Sequence, residues 1–472
     1  MKKRFNVTGT CIPEKHYMVD ISNKLDSILE LVNNEEYFII NRPRQYGKTT
    51  TLYLLEKRLN TMKEYLPIKI SFEAIDTEAY SEVKKFLSSI MMQIVNYFRF
   101  STNKEMYKFT KHHENKIITM NDFNIFITDL IEFSERKVVL IVDEVDKSSN
   151  NQLFLDFLGM LRSKYLLRNE GKDYTFHSVI LAGVHDIKQA SKISDFHMIA
   201  YSWEEMSRSF LTKRLKIRPD EEHKYNSPWN IASDFDIDMS FSVEEIKTML
   251  DDYVENKSVD LDKEYYGEKI YFYTSGYPFL VTKLCKIIDE KIMDKNKLKW
   301  EKEYLELAVK ELLEESNTNF DSLIKNIENN KDLQELIKKI ILDGYRVTYN
   351  QDNPLITMGI IYGIFKNSKG KIQINNRIYE QRIYNYMVSL VQTKMNVQIY
   401  NEKEKYLNKD RTLNVEKVLL SFQEFMKHEY SKKRETFLEE DGRLVFLAFL
   451  APIINGNGFA FKEVKGGEEK RF

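Results

Sequence analysis

The segment Asn41–Thr50, Asn-Arg-Pro-Arg-Gln-Tyr-Gly-Lys-Thr-Thr, constrains the fold more than any other part of the chain. It follows the apolar run Tyr37 to Ile40 and precedes a helical pattern with Leu52, Leu55 and Leu59 on one face. Strand, tight loop ending in Gly-Lys-Thr, and helix are the layout of a phosphate-binding loop. The backbone N–H groups of Gln45, Tyr46, Gly47, Lys48, Thr49 and Thr50 would then meet a polyphosphate from a helix N-terminus. Lys48 would reach the β- and γ-phosphates, and the Thr49 hydroxyl would ligate Mg²⁺. The usual pattern is G-x-x-x-x-G-K-S/T, and its first glycine falls here on Arg42. The loop alone is also compatible with an ordinary basic turn before a surface helix.

A second segment supplies the other half of such a site. Val138 to Val142 is an unbroken aliphatic run, followed by Asp143 and Glu144. Such a run reads as a strand buried on both faces of a parallel sheet, with two acids at its carboxyl end, where ligands bind in open α/β sheets. Asp143 would hold Mg²⁺, and Glu144 would orient and deprotonate an attacking water. Leu66 to Phe72, Ser178 to Gly183 and a short run Met198 to Tyr201 read as further strands. Helical stretches near 80–97, 121–134 and 151–167 lie between them, so the alternation predicts a doubly wound parallel sheet. After Gly183, His185 is placed either to sense the γ-phosphate as a catalytic side chain or to sit exposed beside a helix cap at Asp186.

With these residues in view, the chain resembles the bacterial AAA-like ATPases, within the signal-transducing P-loop ATPases related to archaeal ATPases. The resemblance is carried by the Arg42–Thr49 loop, by the strand end Val142 to Asp146 and by Leu181 to Asp186. Thr8 to Asp20 is similar to the segment that leads into the nucleotide site of that family, and Asn226 to Ala232, Asp234 to Phe241 and Ser275 to Leu280 are also family-like. A loop without the first glycine is normal there. The resemblance implies ATP and Mg²⁺ as ligands, and Gly276 and Pro278 as a turn near the base or phosphates.

Charge and cysteine content bound the alternatives. With 71 basic and 72 acidic residues, the chain carries no global field toward nucleic acid, so DNA would need a local patch. Two cysteines far apart, Cys11 and Cys285, argue against a disulfide framework. No stretch resembles a signal peptide or a membrane span, which predicts a cytoplasmic protein with no membrane partner.

Beyond the sheet, residues 206–315 read as a helical lid, with Ser242 and Glu245 forming a capping box and Phe279, Leu280, Leu284, Ile287 and Ile288 a stripe after the Gly276–Pro278 turn. Arg208, Arg214 and Arg218 cluster near the end of the sheet, where one would contact the γ-phosphate; each reads more readily as a surface charge. In 316–400, a helix over Leu333 to Ile341, a hairpin built from Met358 to Phe365 and Lys371 to Ile374, and a helix through Ile383, Met387 and Leu390 suggest a winged-helix-like region. Lys366, Lys369 and Lys371 at the hairpin tip would touch DNA phosphates, or else serve solubility or packing; the second is favoured because no helix shows a stripe for base edges. Residues 401–472 are similar to the opening of a nuclease-like domain whose metal-site residues lie beyond Phe472, so nuclease activity is not expected of this chain.

The expectation is thus an α/β protein. It has a P-loop parallel-sheet core (1–205), a helical lid, a winged-helix-like region and a partial α+β nuclease-like segment. The expected function is ATP binding, with hydrolysis to ADP and phosphate, as a regulatory switch that forms a homo-oligomer or docks a protein partner. The alternative is a nucleotide-binding scaffold, or a DNA-associated defence or mobile-element factor, with little turnover.

Overall fold

A computed structural model describes residues 3–148, 151–183, 229–394 except Asn230 and Lys295, 406–430 except Lys409 and Arg411, and Phe446 and Leu450. His185, the run Met198 to Tyr201, Arg208, Arg214 and Arg218 lie outside these residues, as does most of the nuclease-like stretch. The chain divides into two compact units, one formed by Met1–Tyr271 with Gly276–Leu305, the other by Phe272–Ser275 with Glu306–Phe472.

The first unit opens with helix α1 (Ser22–Asn33) and strand β1 (Tyr37–Asn41). Helix α2 (Lys48–Thr61) and strand β2 (Tyr65–Ser71) follow. Three helices come next, α3 (Val83–Arg99), α4 (Lys104–His113) and α5 (Met120–Ser134). Strand β3 (Lys137–Asp143), helix α6 (Gln152–Asn169) and strand β4 (Ser178–Gly183) follow. The four strands pair in parallel in the order β1-β4-β3-β2. This is the sheet that the aliphatic runs predicted, because parallel strands with helices on both faces bury every side chain.

Alternation sorts the strand residues between two layers. Tyr37, Ile39, Leu66, Ile68, Ile70, Val138, Leu140, Val142, Val179 and Leu181 share one buried cluster with α3, α5 and α6. Phe38, Ile40, Val139, Ile141, Ile180 and Ala182 are buried on the other face. Phe86, Ile90, Ile94 and Phe98 of α3 follow helical spacing into the first layer. Truncating one such side chain, for example Phe157→Ala, costs about 3–5 kcal/mol. Helix α5 starts on a capping box between Thr119 and Asp122. The outer edge of β1 is covered locally: Ser233 N–H donates to the Tyr37 carbonyl at 2.8 Å.

Helices α7 (Val243–Lys257), α8 (Lys263–Thr274) and α9 (Pro278–Ile287) follow. The expected capping box is present, with Ser242 accepting from Glu245 N–H and Glu245 accepting from Ser242 N–H. Pro278 occupies the first turn of α9, where its missing N–H costs nothing.

In the second unit lie α10 (Glu303–Glu314, which begins at its border), α11 (Thr318–Glu328), α12 (Lys331–Asp343) and α13 (Pro354–Ile361). The antiparallel strands β5 (Phe365–Ser368) and β6 (Lys371–Ile374) and helix α14 (Arg377–Lys394) follow. Helix α15 (Val415–Tyr430) lies further along the chain. Two expectations need correction here. Met358 to Ile361 is helix rather than the first arm of the hairpin, because Asn353 caps Leu355 and Ile356 and Pro354 starts a helix. The hairpin begins only at Phe365 and turns at Lys369 and Gly370, both at positive φ as a two-residue hairpin turn requires. Lys366 is not at the tip either: it is half-buried and donates to the Ser275 hydroxyl at 2.9 Å, leaving Lys369 and Lys371 exposed.

Candidate functional site

A cavity of about 650 Å³ opens at the carboxyl end of the sheet in the first unit. The loop after β1 forms its floor. Gly47 caps α2 at φ 81, and Gln45 also has positive φ, at 57. Positive φ on either side of Tyr46 turns successive N–H groups toward one side, the geometry of an anion nest, and the N-terminus of α2 adds its partial positive charge. Gln45, Tyr46, Gly47, Lys48, Thr49 and Thr50 all line the cavity.

Lys48 is buried, and its ammonium donates to the carbonyls of Arg42 at 2.8 Å and Pro43 at 3.0 Å. Burial lowers its proton affinity, and the carboxylates of Asp146, Glu144 and Asp143 act the other way. The loop's own carbonyls thus satisfy a cation held close to the acids at the end of β3.

Asp143 is buried at the end of β3 and accepts the Glu144 N–H at 3.0 Å. Glu144 lines the cavity and has φ 54, a conformation that costs a non-glycine residue of order 1–3 kcal/mol and clusters at functional sites. Burial raises the Glu144 carboxyl above the usual range, with Lys48 opposing the shift. Asp146 packs its carboxylate against Gly183, where an added Cβ would lie 2.7 Å from Oδ1.

The roof comes from α9 and the chain before α7. Pro278, Phe279, Thr282, Met239 and Phe241 line the cavity. Gly276 does not line it. It lies at φ 72 against the Phe241 backbone, its carbonyl accepting from Phe241 N–H at 2.8 Å, and an added Cβ would meet the Phe241 carbonyl oxygen at 2.0 Å. Gly276 therefore sets the approach of α9 to Phe241.

Three groups of wall residues were not singled out from the sequence as site residues. Asn6 to Gly9, Met18 and Val19 form a wall, from the N-terminal stretch that the resemblance linked to the site. That stretch is held by Cys11 N–H donating to the Thr50 hydroxyl at 3.1 Å and by Tyr17 donating to Asn256 at 2.9 Å. Glu73 lines the cavity just past β2, and the rule that ligands gather at strand carboxyl ends would have found it. Met239 and Phe241 belong to a segment named only for its resemblance.

Sheet order, nest, buried lysine and strand-end acids together have the layout of a P-loop fold. Residues 16–194 match the model of the AAA-like domain family. A solved Walker-type ATPase of Pyrococcus abyssi is similar in fold, with a TM-score of 0.51 at 13% identity, over 80% of this chain and 99% of its own. The Aeropyrum pernix ORC2 protein, in ADPNP-ADP complexes, matches 84% of this chain and 99% of its own at 12% identity with a TM-score of 0.45. The Thermotoga maritima RuvB Holliday junction branch migration motor matches 77% and 94% at 13% identity with a TM-score of 0.35. No curated protein matches the chain.

Proposed function

We propose that this cavity binds ATP with Mg²⁺ and hydrolyses it to ADP and phosphate, as a nucleotide-dependent switch. The observation that carries the reading is the convergence of the Gln45–Gly47 nest, buried Lys48 and Glu144 on one cavity, with Asp143 buried directly behind Glu144 at the end of β3. The N–H groups from Gln45 to Thr50 cradle the phosphates, and Lys48 exchanges the Arg42 and Pro43 carbonyls for β- and γ-phosphate oxygens. Met18, Val19, Met239, Phe241 and Phe279 offer an apolar slot for the base, and Pro278 closes the loop side.

Thr49 and Asp143 would hold Mg²⁺. Both offer hard oxygen donors, and among the described residues no cluster of three His, Cys, Asp or Glu side chains is placed to cage an ion. That suits a cation whose remaining ligands are phosphate and water. When bound, Mg²⁺ neutralises phosphate charge. Glu144 orients the attacking water and accepts its proton, and burial keeps its proton affinity closer to that task than an exposed glutamate's. His185 is the proposed sensor of the γ-phosphate, and Gly276 acts by placing α9.

The switch would run through the segments that touch both nucleotide loop and helices. Cys11 meets Thr50, while Asp20 N–H donates to Thr248 at 2.8 Å and Lys24 pairs with Glu245 at 2.6 Å on α7. Direct titration with ATP tests the binding step. The wild-type chain should saturate, and Lys48→Ala should bind at least about 10-fold more weakly. Equal binding by the two chains would remove the cavity as the nucleotide site.

A further inference from the structure

We infer that Tyr277 is a positioning residue for the phosphate loop, gripping it from the start of α9; this rests on the nucleotide reading above. The Tyr277 hydroxyl donates to the Arg44 carbonyl at 2.6 Å. Its ring meets Tyr46 edge-on, with centroids 4.7 Å apart, and both rings are buried. The next residue, Pro278, lies 3.9 Å from where a Cβ on Gly47 would be. At the start of α9, Tyr277 therefore contacts Arg44 and Tyr46 of the loop, and Pro278 lies beside Gly47.

The consequence is directional. No described peptide is cis, and in a trans peptide the N–H points opposite to the preceding C=O. Holding the Arg44 carbonyl on Tyr277 turns the Gln45 N–H to the opposite side, at the residue whose positive φ begins the nest. In the common form of this loop a glycine near its start gives the backbone freedom to take up its curve. Here Arg42 occupies that position, and the Tyr277 hydroxyl fixes one peptide of the curve from outside the loop.

Tyr277→Phe tests this, because it removes the hydroxyl and keeps the ring against Tyr46. Affinities for ATP, ADP and AMP are measured by competition against a fluorescent ATP analogue, beside the melting temperature of the nucleotide-free chain. The expected result is ATP and ADP binding weakened about 3- to 10-fold, the range of one lost hydrogen bond. AMP, which lacks the β-phosphate, should be unchanged. ATP and ADP affinities equal to wild type would overturn the inference, and so would equal weakening of all three nucleotides, which would mark general damage to the cavity. A wild-type chain that binds no ATP overturns the nucleotide reading itself.

Discussion

The Arg42 guanidinium donates to the Ile237 carbonyl at 2.8 Å, across 195 positions of sequence. It also reaches the Phe235 carbonyl at 3.2 Å and lies over the Phe235 ring at 5.2 Å. The residue that stands where the common loop has glycine thus does not line the cavity. It ties the base of the loop to the segment that brings Met239 and Phe241 to the cavity wall.

Arg42→Ala should therefore destabilise the chain by on the order of 2 kcal/mol, since two half-buried carbonyls lose a charged donor. Denaturant unfolding checks this. Arg42→Gly, although it restores the common glycine, should fare no better. A midpoint unchanged in either variant would mean that the Phe235–Ile237 segment is held by other contacts.

Glu144→Gln should bind ATP as well as wild type and lose turnover by about 100-fold or more, the range of a missing general base. Single-turnover hydrolysis beside ATP titration separates the two effects. Retained turnover would shift the role of base to another acid, with Glu73 on the same wall the first to test.

The pH dependence of Glu144 has a definite sign. Burial raises its folded proton affinity above the unfolded value, so its contribution to stability is present at low pH and is lost as pH rises through the raised value. Glu144→Gln carries no charge at any pH, so its melting temperature should exceed that of wild type at pH 8 and converge on it toward pH 4. The same shift moves the acid limb of kcat/KM above the ordinary glutamate range. A variant no more stable than wild type at pH 8 would contradict the burial argument.

Gly276→Ala should cost more than about 1 kcal/mol, because the position has φ 72 and the new Cβ would press on backbone rather than on a flexible side chain. Circular dichroism melts read the loss. An alanine variant with wild-type stability would show that the Gly276–Phe241 approach can relax freely.

Much of this was legible in the sequence where the signal is local. Val138 to Val142 and Ser178 to Gly183 read as buried strands, and they are. Gly-Lys-Thr after an apolar run placed Lys48 at a helix start, as found. What escaped depends on long-range contact. Met358 to Ile361 is equally apolar as strand or helix, and only the Asn353 cap decides for helix. Lys366 looked like a solvated tip, but its partner Ser275 lies 91 positions away. Gly276 was read as a ligand-side glycine, whereas its close neighbour is the Phe241 backbone. Such pairings leave no periodicity to read.

The most direct test of the central claim is Mg²⁺-dependent phosphate release from ATP by the purified chain, beside Lys48→Ala. The account predicts turnover that requires Mg²⁺ and falls by about 100-fold or more in the variant, as loss of a phosphate-stabilising cation does. Phosphate release that is equal in the two chains, or independent of Mg²⁺, would contradict it.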